Sequence, residues 1–214
     1  MDGFSGFGAF LFGGFLSLVT IVNPPATLPI YTSLTSGMKS DEAERIATRA
    51  SLYCLAIMVV SLFAGSLIMQ LFGISYAALR VSGGMVLAIL GHGMLYGRAE
   101  VSEVPDVRYA NPAFFPLALP GITGPGTIAV TIGIATQIQE QATLRGEIVA
   151  YAGTLLAMGA VCLLELLLLR SARTVSARLG PTGIEVVTRL SGFLLICVGV
   201  QFIASGIKAF IATP

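Results

Sequence analysis

The sequence predicts an all-α membrane protein of six transmembrane helices in two inverted three-helix repeats, with helices 1 and 4 broken by proline and glycine. Three observations carry that expectation. The 214 residues are 55% hydrophobic and only 11% charged, with a mean hydropathy of +0.88. A soluble domain carries roughly 25% charged residues, so this chain cannot cover its surface with charge and must face lipid. Six apolar windows approach the ~20 residues that a span requires. The two halves of the chain also echo each other in order and spacing.

The first window runs from Phe4 to about Ser36 and is interrupted by Asn23-Pro24-Pro25. A continuous helix of that length would reach about 50 Å, against a hydrocarbon core of about 30 Å. Pro24 and Pro25 lack the N–H of the helical ladder and disfavour helix at the residue before each, so the segment is expected to be bent or broken. The second window opens at Ser40, whose hydroxyl can cap the helix beginning Asp41-Glu42-Ala43-Glu44, and runs to about Leu71. The third covers about Ser75 to Leu95. The polar stretch from Arg98 to Asn111, with Glu100, Glu103, Asp106 and Arg108, is the one substantial linker between repeat 1 (about 1–97) and repeat 2 (about 112–214). The fourth span covers about Pro112 to Gln137, interrupted from Gly121 to Gly126. The fifth covers about Gly146 to Leu169 and the sixth about Thr182 to Phe210.

Lysine and arginine in the loops set the expected orientation. With the amino terminus outside, the inner side carries Lys39, Arg45, Arg49, Arg98, Arg108, Arg170, Arg173 and Arg178, and the outer side Arg145 and Lys208. Both termini are therefore expected outside. The first segment lacks a basic leader and reads as a retained signal anchor rather than a cleaved peptide. The net charge of +1 gives no footprint for nucleic acid. Cys54, Cys162 and Cys197 lie far apart in apolar runs and read as small core residues, neither a disulfide framework nor a metal set.

The internal echo has two parts. Asn23-Pro24-Pro25-Ala26-Thr27-Leu28 matches Thr123-Gly124-Pro125-Gly126-Thr127-Ile128 at an offset of 100 residues. Arg80-Val81-Ser82-Gly83 matches Arg189-Leu190-Ser191-Gly192 at an offset of 109. With three spans in each half, the second half inserts upside down relative to the first. In secondary transporters built that way, paired Gly/Pro interruptions point to a midplane site between the repeats.

Unwound backbone inside a bilayer is tolerated where protein or water satisfies its polar groups, so the two breaks can bind a polar solute. Half-helix N-termini there favour a carboxylate. Asn23, Thr27, Thr123 and Thr127 add neutral donors and acceptors, and no ionised side chain lies in either break, which suits a small zwitterionic or neutral polar solute. The alternative is a pair of kinks that only shape packing. Arg80 and Arg189 occupy matched positions inside spans three and six, either as snorkelling anchors or as gating groups. Glu165 can carry a coupling proton or pair with a basic residue near the inner surface. Gln201, near the middle of span six, is a polar group that requires a partner. Lone His92 makes a poor metal site. Small residues at Ser82-Gly83-Gly84 and Ser191-Gly192 permit close helix approach, within one chain or in a homo-oligomer.

No P-loop, HExxH, CxxC, dinucleotide fingerprint or TVGYG filter is present, which removes ATP-driven pumping by this chain and weakens a selective cation channel. An enzyme would have only His92 and Glu165 as acid–base residues, on different spans. No enzymatic activity, metal or cofactor is expected. A non-transporting membrane scaffold and a passive small-solute channel are the remaining alternatives to a carrier.

Asn23-Pro24, Leu28-Pro29-Ile30-Tyr31, Leu34-Thr35, Arg80-Val81-Ser82-Gly83-Gly84, Pro116-Leu117-Ala118-Leu119-Pro120, Gly124-Pro125-Gly126, Val200-Gln201-Phe202-Ile203 and Gly206-Ile207 together resemble the MarC family of bacterial and archaeal inner-membrane proteins. That family includes the SnatA-type small neutral amino acid transporters, and the likeness covers nearly the whole chain. The resemblance implies six helices in an inverted repeat, related to lysine-exporter-like carriers. It also implies transport of small neutral amino acids such as glycine or alanine, coupled to a gradient of H+ or Na+. By carry-over the solute would contact Asn23 to Thr27 and Thr123 to Thr127. This sequence departs from the family pattern at Ala26, where glycine is frequent, and at Ser205, where an amide or acid is frequent.

Overall fold

The computed structural model describes residues 2–96 and 110–212. Arg98, Glu100, Glu103, Asp106 and Arg108 of the linker lie outside the described residues. The rest forms eight helices: α1 (Asp2–Val22), α2 (Pro24–Leu34), α3 (Ser40–Leu71), α4 (Tyr76–Tyr96), α5 (Ala113–Ile122), α6 (Pro125–Gln139), α7 (Leu144–Gly180) and α8 (Thr182–Ile211). Helices α3, α4, α7 and α8 are each long and apolar enough to cross a membrane. The pairs α1–α2 and α5–α6 are bent by 44° and 64° at their breaks, and each pair counted as one span brings the total to six. The order of elements in the second half, a broken pair followed by two long helices, repeats that of the first.

The breaks have local causes. Asn23 adopts a left-handed conformation (φ 48°, ψ 64°) between α1 and α2, with Pro24 and Pro25 opening the next helix; asparagine tolerates that region better than most residues. In α5 the backbone is extended at Phe115 and Leu119, each of which precedes a proline. A wide turn from Thr123 N–H to the Ala118 carbonyl closes that segment. Gly180 (φ 64°) separates α7 from α8.

Two boundary expectations change. The residue before α3 is Lys39, and no side-chain cap forms there, so Ser40 is the first helical residue rather than the cap. Helix α7 continues through Arg170, Arg173 and Arg178 to Gly180, well past Leu169. Arg170 donates to the Thr48 hydroxyl and Arg173 to the Met38 carbonyl, fastening this extension to the start of α3.

Packing is built on narrow stripes. Along α3, Ala43, Ala47, Ala50, Cys54, Met58, Leu62, Gly65 and Met69 are buried at helical spacing, while Leu52, Val60, Phe63 and Leu67 face outward. Lipid tails are as apolar as leucine, so close backbone approach supplies the helix–helix attraction in a bilayer. Helices α4 and α8 meet in this way: a Cβ at Gly84 would fall 2.6 Å from the Gly199 carbonyl, and one at Gly192 would fall 2.7 Å from the Gly91 carbonyl. Helix α1 sits on α7 with Gly14 against Ala157 and the Phe7 carbonyl over Gly153.

Candidate functional site

The two breaks lie largely inside the bundle. Pro24 and Thr27 in the first and Thr123, Gly124, Gly126 and Thr127 in the second are buried, Asn23 and Ala26 are half-buried, and Pro25 and Pro125 are exposed. The pattern of the first break thus recurs at the second, with Pro25 and Pro125 both outward and Thr27 and Thr127 both inward. Asn23 Nδ2 donates to the Ser191 carbonyl of α8 over 3.3 Å. A Cβ at Gly83 of α4 would meet Ala129 at 3.3 Å, the Pro125 carbonyl at 3.7 Å and Gly126 Cα at 3.9 Å. The Arg-x-Ser-Gly stretch of each half therefore seats the break of the other.

A buried chain of polar and sulfur atoms runs from one break toward the other. The Thr27 hydroxyl oxygen lies 2.6 Å from Glu165 Oε1 and 2.7 Å from the Pro24 carbonyl. Glu165 is completely buried and its Oε2 has no hydrogen-bond partner among the described residues. One turn back on α7, Cys162 Sγ lies 3.8 Å from Cys54 Sγ of α3. Thr123 of the second break lies beside Cys54, and its hydroxyl makes no hydrogen bond of ordinary geometry. Thr127 reaches only a long 3.4 Å contact to the Ile122 carbonyl. Unsatisfied polar atoms at this depth are uncommon and mark a place where a partner can bind.

Among the described residues Glu165 thus pairs with no basic residue at the inner surface; its partner is Thr27. The signal in the sequence was its phase: Thr154, Met158, Val161, Glu165, Leu169 and Ala172 make one stripe of α7, and every member of it is buried. Cys54 and Cys162, far apart in sequence, are brought together, whereas Cys197 is exposed.

A cavity of about 390 Å³ opens at the end of the bundle that bears the α3–α4 and α6–α7 turns, and it reaches inward to Ile21, two residues before the first break. Ser17, Thr20, Tyr76, Arg80 and Gln137 give it polarity, and among the described residues no acidic side chain lines it. The Arg80 guanidinium stacks over the Tyr76 ring at 4.5 Å from its centroid. Arg189, its sequence counterpart, instead pairs with Glu185 one turn away at 2.7 Å on an exposed surface. Gln201 lies on the exposed face of α8, and the ring of exposed His92 lies tilted against that of Tyr96. Neither joins the breaks.

The family profile described as MarC family integral membrane protein matches residues 8–211. The chain belongs to the MarC family. It is 37% identical over 210 residues to the inner membrane protein MarC of Citrobacter koseri, with 94% of this chain and 95% of the relative covered. It is equally 37% identical over 213 residues to MarC of Escherichia coli O1:K1 and of Shigella flexneri, with the same coverage. No solved structure matches it. Like its MarC relatives, the chain is a multi-pass protein of the inner membrane, in contact with the lipid bilayer.

Proposed function

We propose that this MarC-family protein is a secondary carrier of small neutral amino acids of the glycine and alanine type, exporting or exchanging them. In this reading the site lies between the two broken helices, the halves form an inverted repeat with both termini outside, and a cation gradient drives the cycle. The observation that carries it is the reciprocal seating of the breaks, Asn23 on Ser191 and Pro125-Gly126 on Gly83. Two interrupted helices, each held by the other half of the chain, are what alternating access needs, because rocking one half against the other reshapes both breaks together.

The buried hydroxyls of Thr27, Thr123 and Thr127 and the amide of Asn23 offer neutral hydrogen-bonding groups to a zwitterion. The cavity ending near Ile21 offers a route from one membrane face, with Arg80 as a partner for a carboxylate on the way in. The chain acts in this reading without catalysing a covalent reaction.

Counterflow tests the proposal. Proteoliposomes loaded with unlabelled glycine or alanine are expected to accumulate labelled solute transiently and saturably, and to lose this in folded Asn23→Ala or Thr127→Val protein. No counterflow across a panel of small amino acids, from folded protein, would overturn the assignment and favour a scaffold. Uptake that never saturates would indicate a channel.

A further inference from the structure

The junction of Thr27, Pro24 and Glu165 can be read by counting hydrogens. The Thr27 hydroxyl oxygen stands at hydrogen-bond distance from two acceptors, Glu165 Oε1 at 2.6 Å and the Pro24 carbonyl at 2.7 Å. A hydroxyl brings one hydrogen, while a carbonyl and an ionised carboxylate bring none. One shared hydrogen would leave both contacts weak; two full hydrogen bonds form when Glu165 supplies the second hydrogen, so that Glu165 Oε1–H donates to Thr27 and Thr27 donates to Pro24.

The surroundings agree. Between Phe4 and Val22 of α1, and from Ala113 to Gln139 of α5 and α6, the sequence has no Asp, Glu, His, Cys, Tyr, Lys or Arg. From α2 comes only Tyr31, whose hydroxyl is engaged by the Ala43 carbonyl. From α3 come Tyr53 and Cys54, with Arg45 and Arg49 exposed toward its start; on α7 itself Tyr151 and Cys162 lie to one side of Glu165, and Arg170, five residues to the other, is exposed and donates to the Thr48 hydroxyl. On α4 and α8 the charged and titratable side chains are committed elsewhere or exposed: Arg80 to Tyr76, Glu185 to Arg189, His92 to Tyr96, and Cys197 and Lys208 outward. Among the described residues no cation pairs with Glu165, and its Oε2 has no partner. An ionised carboxylate with one donor and no counter-charge is not sustained in such a site.

Resting on the carrier reading above, we propose that Glu165 is a proton-binding site of the transport cycle, and that its proton and the solute exclude one another at the first helix break. When the proton leaves, Thr27 turns its hydrogen to the carboxylate, and a lone pair of the Pro24 carbonyl is released. That lone pair and the new negative charge together form an acceptor set for the ammonium group of an amino acid. When a proton returns, the charge is lost, Thr27 turns back to Pro24, and the ammonium loses both partners. One proton thus crosses in one direction for each amino acid moved in the other. A zwitterion carries no net charge, so each turn transfers one positive charge.

Proton release on binding tests this directly. Addition of glycine or alanine to weakly buffered, detergent-solubilised protein is expected to release about one proton per chain into a pH-sensitive dye, because the ligand binds the deprotonated form. Glu165→Gln can still donate to Thr27 and so keeps the resting fold. It is expected to melt like the parent protein, release no proton and show no counterflow. In liposomes, an acid interior is expected to drive accumulation of labelled solute, and an acid exterior is not.

Infrared spectra give a readout that needs no variant to fold: a protonated-carboxyl band should be present without solute and lost on its addition. Solute binding seen by thermal shift without proton release, undiminished counterflow in Glu165→Gln, or accumulation driven by an acid exterior or by sodium alone would each overturn this proposal and leave the carrier reading standing. Absence of counterflow in the parent protein would instead remove the carrier reading, and this inference with it.

Discussion

The amide of Asn23 donates to the main-chain oxygen of Ser191, which joins the left-handed residue of the first break to the Ser-Gly step of the last helix across 168 positions of sequence. Gly83, in the matching step of α4, lies against Pro125 and Gly126 of the second break. Because the two seats are reciprocal, a shift of either half disturbs both breaks. That makes Asn23 the most informative single position in the chain.

Asn23→Ala removes the amide and places a Cβ in a left-handed backbone without a side chain that favours it. The expected loss is about 1–3 kcal/mol of stability, read as a lowered melting temperature in detergent. Asn23→Gly relieves the backbone and removes only the contact to Ser191, so its melting temperature should lie between the other two. Counterflow in Asn23→Gly then isolates the amide: flux equal to the parent protein would show that the backbone conformation alone matters.

Arg80 and Arg189 differ in their surroundings although the sequence aligns them. Arg80 lines the cavity and has an aromatic face beneath it, while Arg189 is half exposed and paired within its own helix. Arg80→Ala is expected to raise the KM for solute about tenfold, corresponding to about 1.4 kcal/mol, with Arg80→Lys in between because a point charge replaces the planar fork. Arg189→Ala removes an exposed pair worth about 0–1 kcal/mol and should leave the KM within about twofold. Equal effects of the two alanine variants on flux would return Arg80 to the role of a membrane anchor.

Much of this architecture was legible in the sequence because bilayer thickness and proline chemistry act locally. The interruption at Asn23-Pro24-Pro25 follows from residues within three positions of it, and the bends of 44° and 64° occur where prolines remove donors. The extension of α7 beyond Leu169 was not legible, because Arg170 and Arg173 look like the end of an apolar span and their partners Thr48 and Met38 are more than 120 residues away. The same is true of the site. The breaks announce themselves by composition, but the contact of Glu165 with Thr27 is tertiary. Arg170, five residues away in sequence, donates to Thr48 instead, and the helical phase of α7 is the better guide to where Glu165 points. Gln201 shows the converse, a polar residue at mid-span that faces outward.

The α4–α8 seam makes a prediction about stability alone. A methyl group at Gly84 would lie 2.6 Å from the Gly199 carbonyl and 2.9 Å from Ile203 N, both main-chain atoms that cannot rotate away. Gly84→Ala and Gly192→Ala are each expected to destabilise by about 1–3 kcal/mol through overpacking. Gly13→Ala, which meets nothing within 4 Å, should be neutral or slightly stabilising because alanine favours helix. Melting curves in one detergent compare the three. A neutral Gly84→Ala would mean that the two helices are free to part.

The buried thiols give a test of motion. Cys54 on α3 and Cys162 on α7 are 3.8 Å apart and shielded, while Cys197 is exposed. In detergent, a maleimide should therefore label Cys197 before the two shielded thiols, and all three cysteines only after denaturation. Oxidation by copper phenanthroline should join Cys54 to Cys162 slowly, as the bundle opens to the reagent, and Cys54→Ser should abolish the product. Since α3 belongs to the first half and α7 to the second, the bond would tie together the two parts whose relative motion the carrier reading requires. Counterflow is expected to stop on oxidation and to return with dithiothreitol. Full exchange by cross-linked protein would mean that α3 and α7 travel as one body, and the moving boundary would then have to lie at the α4–α8 seam.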